Sequence, residues 1–220
     1  MNVPLEVFVH GALCVSYSGD CQASCVAMGR SANRGKCAQM CRLPYTLEDG
    51  NGKVLMENNH LLSLKDMNRS AYIKDMIEAG VSSFNIEGRL KDVGYVKNTV
   101  AYYRQAIDEV IADNPDKYER ASAGRSTYNF TPALEKSFNR GFTDYFLRVQ
   151  DDKIASINTP KSQGEKVGVV KAVRGKEIIA LLDKPLNNGD GLGYFDENGV
   201  LTGFRLNKIE GGKLFPATMV

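Results

Sequence analysis

Apolar and polar residues alternate over 5–9, and the chain then stays mostly apolar up to Cys14, the pattern of a buried strand that ends in a cysteine-rich loop. Over 63–79, Leu64, Met67, Ala71, Ile73, Met76, Ile77 and Ala79 fall mostly at helical spacing, and Gly80 supplies a C-terminal stop. A short strand is predicted over 81–86, then a second helix over 92–112 with Tyr95, Val96, Val100, Tyr103, Ile107 and Ile111 on or near one face. This succession of helix, strand and helix argues for a parallel α/β arrangement, in which functional residues collect at the carboxyl ends of strands. Cys14 and Glu87 both fall at such ends.

Elsewhere the pattern changes. Residues 45–59 are polar and turn-rich, and Asp49-Gly50-Asn51-Gly52 predicts a two-stranded flap. Residues 113–159 read as a solvated linker. It carries a short helix start at Thr131-Pro132, and its basic residues Arg120, Arg125, Lys136, Arg140 and Arg148 are mixed with acids. From Lys166 a period of two predicts strands over 167–173, 177–183, 192–195 and 204–209, punctuated by Gly175, Asn187-Asn188-Gly189-Asp190 and Asn198-Gly199. A small antiparallel β-barrel domain over 160–220 is the expectation.

The composition, 43% hydrophobic and 25% charged over 220 residues, suits one large domain or two small ones, and two are expected. A net charge of +2 gives little bulk attraction for nucleic acid, so an RNA site would have to be a local patch. The longest apolar runs, 167–170 and 178–182, are far short of the roughly twenty residues that span a membrane, and no apolar leader opens the chain. A cytoplasmic location and no membrane partner follow as expectations.

All five cysteines lie between positions 14 and 41. Cys14, Cys21, Cys37 and Cys41 form the series C-x6-C-x15-C-x3-C, with Cys25 as an extra. Thiolates are soft donors, and a cation that accepts four of them can organise a loop too poor in apolar residues to fold by burial alone. The wide first spacing favours an iron-sulfur cluster over zinc, whose sites use tighter pairs; free thiols or a disulfide framework are the plain alternatives. The odd count and the lack of a signal peptide weaken the disulfide reading. Cys37 and Cys41 are expected on adjacent helical turns, and Cys25 as a small buried hydrophobe. Arg30, Arg34, Lys36 and Arg42 surround these thiols, either to offset thiolate charge or to meet phosphate or an acidic substrate. The chain has only two histidines, His10 and His60, with no H-E-x-x-H and no G-x-S-x-G, so nothing in it resembles a protease constellation.

The run Glu6-x-Phe8-x-x-Gly11-Ala12-Leu13-Cys14, with Gly19, Cys21 and Ser24, resembles the signature of the collagenase-like peptidase family of unassigned catalytic type, peptidase family U32. The resemblance continues through Leu61-Leu62-Ser63-Leu64-Lys65-Asp66, through 79–89 ending in Ile86-Glu87-Gly88-Arg89, and through Tyr95 and 103–108; Asn139-Arg140-Gly141-Phe142 extends it. Ala23 and Asn85 depart from it, the family usually having lysine at the second position. The resemblance implies a partial (β/α) barrel over residues 1–112, the C-terminal half of a TIM-like barrel, whose other half or a partner chain, a second copy included, would cover its open edges. It also implies hydroxylation of a pyrimidine in RNA, with peptide hydrolysis or a binding module lacking its catalytic half as alternatives. In several members the clustered cysteines hold a 4Fe-4S cluster, so the ligand role is carried to Cys14, Cys21, Cys37 and Cys41. Candidate catalytic residues are His10 and Glu87, and candidate contacts to an RNA or peptide substrate are Arg89, Lys91 and Arg42.

Overall fold

In the computed structural model, residues 3–17, 20–148 and 153–218 are described. The chain divides into two units, Met1–Ser162 and Gln163–Val220. The first contains β1 (Leu5–Ala12), α1 (Ala23–Met28), β2 (Tyr45–Glu48), β3 (Val54–Asn59), β4 (Asp66–Asn68), α2 (Ile73–Glu78), β5 (Val81–Ile86), α3 (Val93–Asp113) and β6 (Phe142–Thr143). Its main sheet has the order β5-β1-β4-β6, and the architecture is mixed α/β. Strands β1 and β5 run parallel, so their carboxyl ends share one edge, as the chain pattern predicts. Strand β4, however, runs antiparallel to β1, which corrects the expectation of a purely parallel sheet.

The alternation of β1 gives the sheet two unlike faces. Val7 pairs with Phe84, and that face packs with Val9, Ile73, Met76, Tyr103 and Leu134 into the core. Glu6 pairs with Ser83 and Phe8 with Asn85, and these side chains take the opposite face.

Residues 63–79 do not form one helix. They fold as β4, a 3-10 turn over Ser70–Tyr72 and the short α2. Tertiary bonds override the helical period: the Asp66 N–H donates to Gly141 O at 3.0 Å and the Arg69 N–H to Val9 O at 2.9 Å, while Asn68 Oδ1 caps the Ser70 N–H. α3 begins as expected, with Asp92 Oδ1 accepting from the Tyr95 N–H at 2.8 Å. Its buried face is rotated from the predicted one. Tyr95, Thr99, Tyr103 and Val110 are buried, whereas Val96 and Val100 are exposed.

The stretch expected as a linker, 113–159, is instead largely part of the first unit. Leu134 is 1% exposed in the core, β6 completes the sheet, and Asn139 and Arg140 are buried. Thr131 caps no helix; only a 3-10 turn over Leu134–Lys136 follows. The flap forms as predicted, β2 pairing with β3 around Asp49, whose carboxylate accepts from the N–H groups of Asn51 and Lys53.

The second unit is a five-stranded antiparallel sheet of β7 (Gly168–Arg174), β8 (Glu177–Leu182), β9 (Gly191–Phe195), β10 (Leu201–Glu210) and β11 (Lys213–Pro216). Its order is β7-β8-β11-β10-β9, around Ile178, Leu206 and Leu214. The pattern missed β11, although Gly211-Gly212, both at positive φ, is a hairpin signal. No helix among the described residues is long and apolar enough to cross a membrane.

Candidate functional site

The carboxyl ends of β1 and β5 meet through a glycine. Gly11 has φ +117°, and a Cβ there would lie 2.3 Å from Glu87 O and 2.8 Å from Glu87 Cβ, so only glycine lets the strand ends approach this closely. The Glu87 N–H donates to His10 O at 2.8 Å. The residues that begin the cysteine loop and the Glu87-Gly88-Arg89 turn therefore emerge side by side.

The loop itself is held mostly by backbone. α1 ends on Gly29 at φ 61°, and the buried Ser24 Oγ accepts from the Ala38 N–H at 3.0 Å, tying that helix to the residue after Cys37. Cys37 and Cys41 do not share an α-helix. Gln39 takes a left-handed conformation between them, its N–H directed at Cys37 Sγ at 3.3 Å, and Cys41 sits in a 3-10 turn over Met40–Arg42. Cys14, Cys25 and Cys37 are exposed, Cys21 and Cys41 half-buried, so Cys25 is not the buried hydrophobe expected. Burial pushes the Cys41 thiol up; nearby Arg42 opposes this, and Cys14 and Cys37 reinforce it. Cys14 and Cys37 thus each lie within electrostatic reach of Cys41. Among the described residues no three His, Cys, Asp or Glu side chains are gathered closely enough to hold an ion.

Arg42 fastens the loop to the sheet. Its guanidinium donates to Ser63 Oγ at 2.8 Å, Leu64 O at 2.6 Å and Leu13 O at 3.0 Å, while the His60 Nδ1–H donates to Arg42 O at 2.8 Å. Arg89 closes the other side. Its backbone N–H donates to Glu87 Oε1 at 2.8 Å, and its guanidinium lies against Gly35, where a Cβ would meet Nη2 at 3.0 Å.

Beneath the loop lies a charged layer. Asp66, 2% exposed, accepts from the Arg140 N–H at 2.8 Å and from its guanidinium at 3.1 and 3.3 Å; Arg140 Nε also donates to Pro160 O at 2.7 Å. Lys91 Nζ, at 3.3 Å from the ring centroid, and the Arg140 guanidinium, at 4.6 Å, both lie over the Phe138 ring. Desolvation lowers the Lys91 amine, as do the nearby Arg140 and Arg42, against the pull of Asp66. Three cations, Arg42, Lys91 and Arg140, against Asp66 and Asp92 leave this layer a net positive charge next to the thiols.

His10 is enclosed rather than presented. It is 2% exposed, boxed by the rings of Tyr95, Tyr103 and Phe142, and the Tyr103 hydroxyl bridges Val9 O at 2.8 Å and His10 Nδ1 at 3.3 Å. Burial lowers its pKa to about 4, so it is neutral at physiological pH, and lifts Tyr95 to about 12. The structure thus brings Glu87, Arg89, Lys91, Arg42 and the Cys14, Cys37, Cys41 side of the loop to one sheet edge and puts His10 inside the core. Asp66 and Arg140, absent from the predicted site, complete that edge. Their signal lay in the Lys65-Asp66 and Asn139-Arg140-Gly141-Phe142 stretches.

Comparison with known sequences adds three findings. The model of peptidase family U32 matches residues 1–156. The chain is 48% identical over 209 residues to a 23S rRNA 5-hydroxycytidine synthase of Escherichia coli, covering 95% of this chain and 32% of that protein. It is 40% identical to a collagenase of Porphyromonas gingivalis (94% of this chain, 56% of that one) and 32% identical to tRNA hydroxylation protein P of Helicobacter pylori (74% and 40%). The chain therefore spans about a third to a little over half the length of these relatives. No solved structure matches it.

Proposed function

Since the chain belongs to peptidase family U32, we propose that it serves the hydroxylation of a pyrimidine in RNA, in the cytoplasm, with Cys14, Cys21, Cys37 and Cys41 as ligands of a 4Fe-4S cluster. The observation that carries this reading is the 48% identity to an rRNA 5-hydroxycytidine synthase over nearly the whole chain. The donor set suits the group in kind: soft thiols on a loop with little apolar content, beside a net positive layer that offsets part of the charge of four thiolates. Such a cluster supplies one-electron chemistry. The chain's own residues do the rest. Arg42 and Arg89 fix the loop against the sheet, and Lys91 and Arg140 favour an anion at the edge.

Peptide hydrolysis is the second reading, favoured by the collagenase relative. It needs a nucleophile with a positioned base, and the two histidines are committed elsewhere: His10 is enclosed and His60 is bonded to Arg42 O. The first sheet is read as part of a (β/α) barrel that further strands, from a longer chain or a partner, complete; exposed Leu5, Val96 and Val100 support this. The second unit is read as a small barrel module.

Anaerobic reconstitution with iron and sulfide, followed by absorption spectroscopy and metal counting, tests the ligand set. Cys14→Ser, Cys21→Ser, Cys37→Ser and Cys41→Ser should each abolish the broad visible band, while Cys25→Ser keeps it. A colourless protein that binds zinc, or five variants that behave alike, would refute the cluster. Cleavage of denatured collagen by the colourless protein would favour the hydrolase.

A further inference from the structure

The open face of the β1/β5 pair carries a polar cluster that the site above does not use. Glu6 and Ser83 are register partners, as are Phe8 and Asn85, and no register shift falls between the two pairs, so all four side chains project from one face. Ser83 Oγ donates to Glu6 Oε2 at 2.6 Å and Asn85 Nδ2 to Glu6 Oε1 at 3.3 Å. These two bonds hold the carboxyl below the usual carboxylate range, so Glu6 is ionised at neutral pH while remaining exposed. Each of its oxygens keeps acceptor capacity beyond the one bond it receives. Asn85 keeps one amide N–H and its Oδ1 unengaged among the described residues. Beside them the Phe8 ring is 52% exposed. Asn85 precedes Glu87 by two residues and Ser83 by four, so the cluster runs from about 7 to about 13 Å down the strand from the edge that bears the cysteine loop.

We propose that Glu6, Asn85 and Phe8 form the base-reading surface of this protein, and that the base they read is cytosine. The inference rests on the RNA reading above. An ionised carboxylate can only accept, so the ligand atom facing it must donate. Cytosine offers its exocyclic amine, with the ring N3 acceptor next to it. Glu6 accepts from that amine, and the free N–H of Asn85 donates to N3. Uracil in the same pose sets O4 against the carboxylate and an N–H against a donor, so it is repelled at both positions. Phe8 offers the flat apolar surface on which an unstacked base lies. Ser83 touches no ligand; it positions Glu6.

The test is fluorescence anisotropy of the 220-residue chain with labelled six-nucleotide RNAs of cytidine or of uridine. The wild type should bind the cytidine RNA about tenfold more tightly than the uridine RNA, the size of one discriminating base contact. Glu6→Gln, whose amide can donate as well as accept, should reduce that preference to about twofold with cytidine binding retained. Phe8→Leu should weaken both RNAs alike by about tenfold, as loss of stacking requires. Both positions are exposed, and unchanged thermal melts would confirm folding. Equal binding of the two RNAs by the wild type, or variants that match it, would overturn the base-reading surface and leave the RNA reading standing. No binding to either RNA would overturn both.

Discussion

The cysteine loop and the layer beneath it are built in opposite ways. Between positions 13 and 44 Ser24 is the only buried residue among those described, while Val26 and Tyr17 stand 85% and 87% exposed. Below, Val9, His10, Asp66 and Tyr103 are all at 2% exposure or less, and the Tyr103 hydroxyl, His10 Nδ1 and the Asp66 carboxylate each have a hydrogen-bond partner. The layer owes its shape to burial and satisfied polar groups. The loop owes its shape to turns, two left-handed glycines and the Arg42 tie, so Cys41 lies near Cys14 and Cys37 without the thiols being closed into a shell. A ligand would supply the missing closure, which is how metal binding becomes folding energy.

The largest effect should come from splitting the buried pair. Asp66→Ala leaves the Arg140 guanidinium buried without its carboxylate, at a cost of roughly 3 to 5 kcal/mol. For a chain of this size that is on the order of ten degrees in Tm, read by calorimetry. The double variant Asp66→Ala/Arg140→Met should recover much of the loss, because the buried guanidinium charge is removed together with its carboxylate. A loss below about 1 kcal/mol for the single variant would mean the layer is not the cooperative part of the first unit.

How much of this contrast the sequence carried depends on the range of the forces involved. The loop was legible because composition alone marks it: five cysteines in one short stretch with cations among them. The ends of β1 and β5, the start of α3, the Asp49 hairpin and β7 to β10 were legible because each depends on neighbours a few residues away. The layer was not. Asp66 and Arg140 are 74 residues apart, and each sits in a stretch whose local pattern points elsewhere, a helical period for the first and a solvated connector for the second. The rotated face of α3 has the same origin, since the bond from the Tyr103 hydroxyl to Val9 O decides which side turns inward. Strand β4 spans three residues, too few to show a period of two.

A smaller effect tests the layer through pH. In the unfolded chain His10 titrates near 6.5, and in the fold near 4. Above the first value both forms are neutral, and this residue adds no pH dependence. As pH falls below it the unfolded chain takes up a proton that the folded chain refuses, so stability drops until the folded pKa is reached, by at most about 3 kcal/mol. Urea melts at several pH values between 6.5 and 4.5 should show this slope in the wild type and a flatter one in His10→Gln. The same slope in both would assign it to other groups.

The smallest effect belongs to the loop and uses its glycine. Gly35 has φ +80°, ends the 3-10 turn over Ala32–Arg34 by donating to Ala32 O at 3.1 Å, and faces the Arg89 guanidinium. Gly35→Ala therefore meets two penalties, a left-handed backbone that alanine dislikes and a Cβ 3.0 Å from Arg89 Nη2, together about 1 kcal/mol because the tip of an arginine can move aside. The same change at Gly11 would drive a Cβ to 2.3 Å from a backbone oxygen, which cannot move aside. Since the loop is little tied to the core, the urea midpoint of Gly35→Ala should stay near that of the wild type, and hydrogen exchange at Lys36 and Gln39 should quicken instead. Adding Arg89→Ala should remove the contact share of the penalty and leave the backbone share, a coupling that a double-mutant cycle reads directly. If Gly35→Ala lowers the global midpoint as far as Asp66→Ala does, loop and layer unfold as one unit and the contrast between them fails.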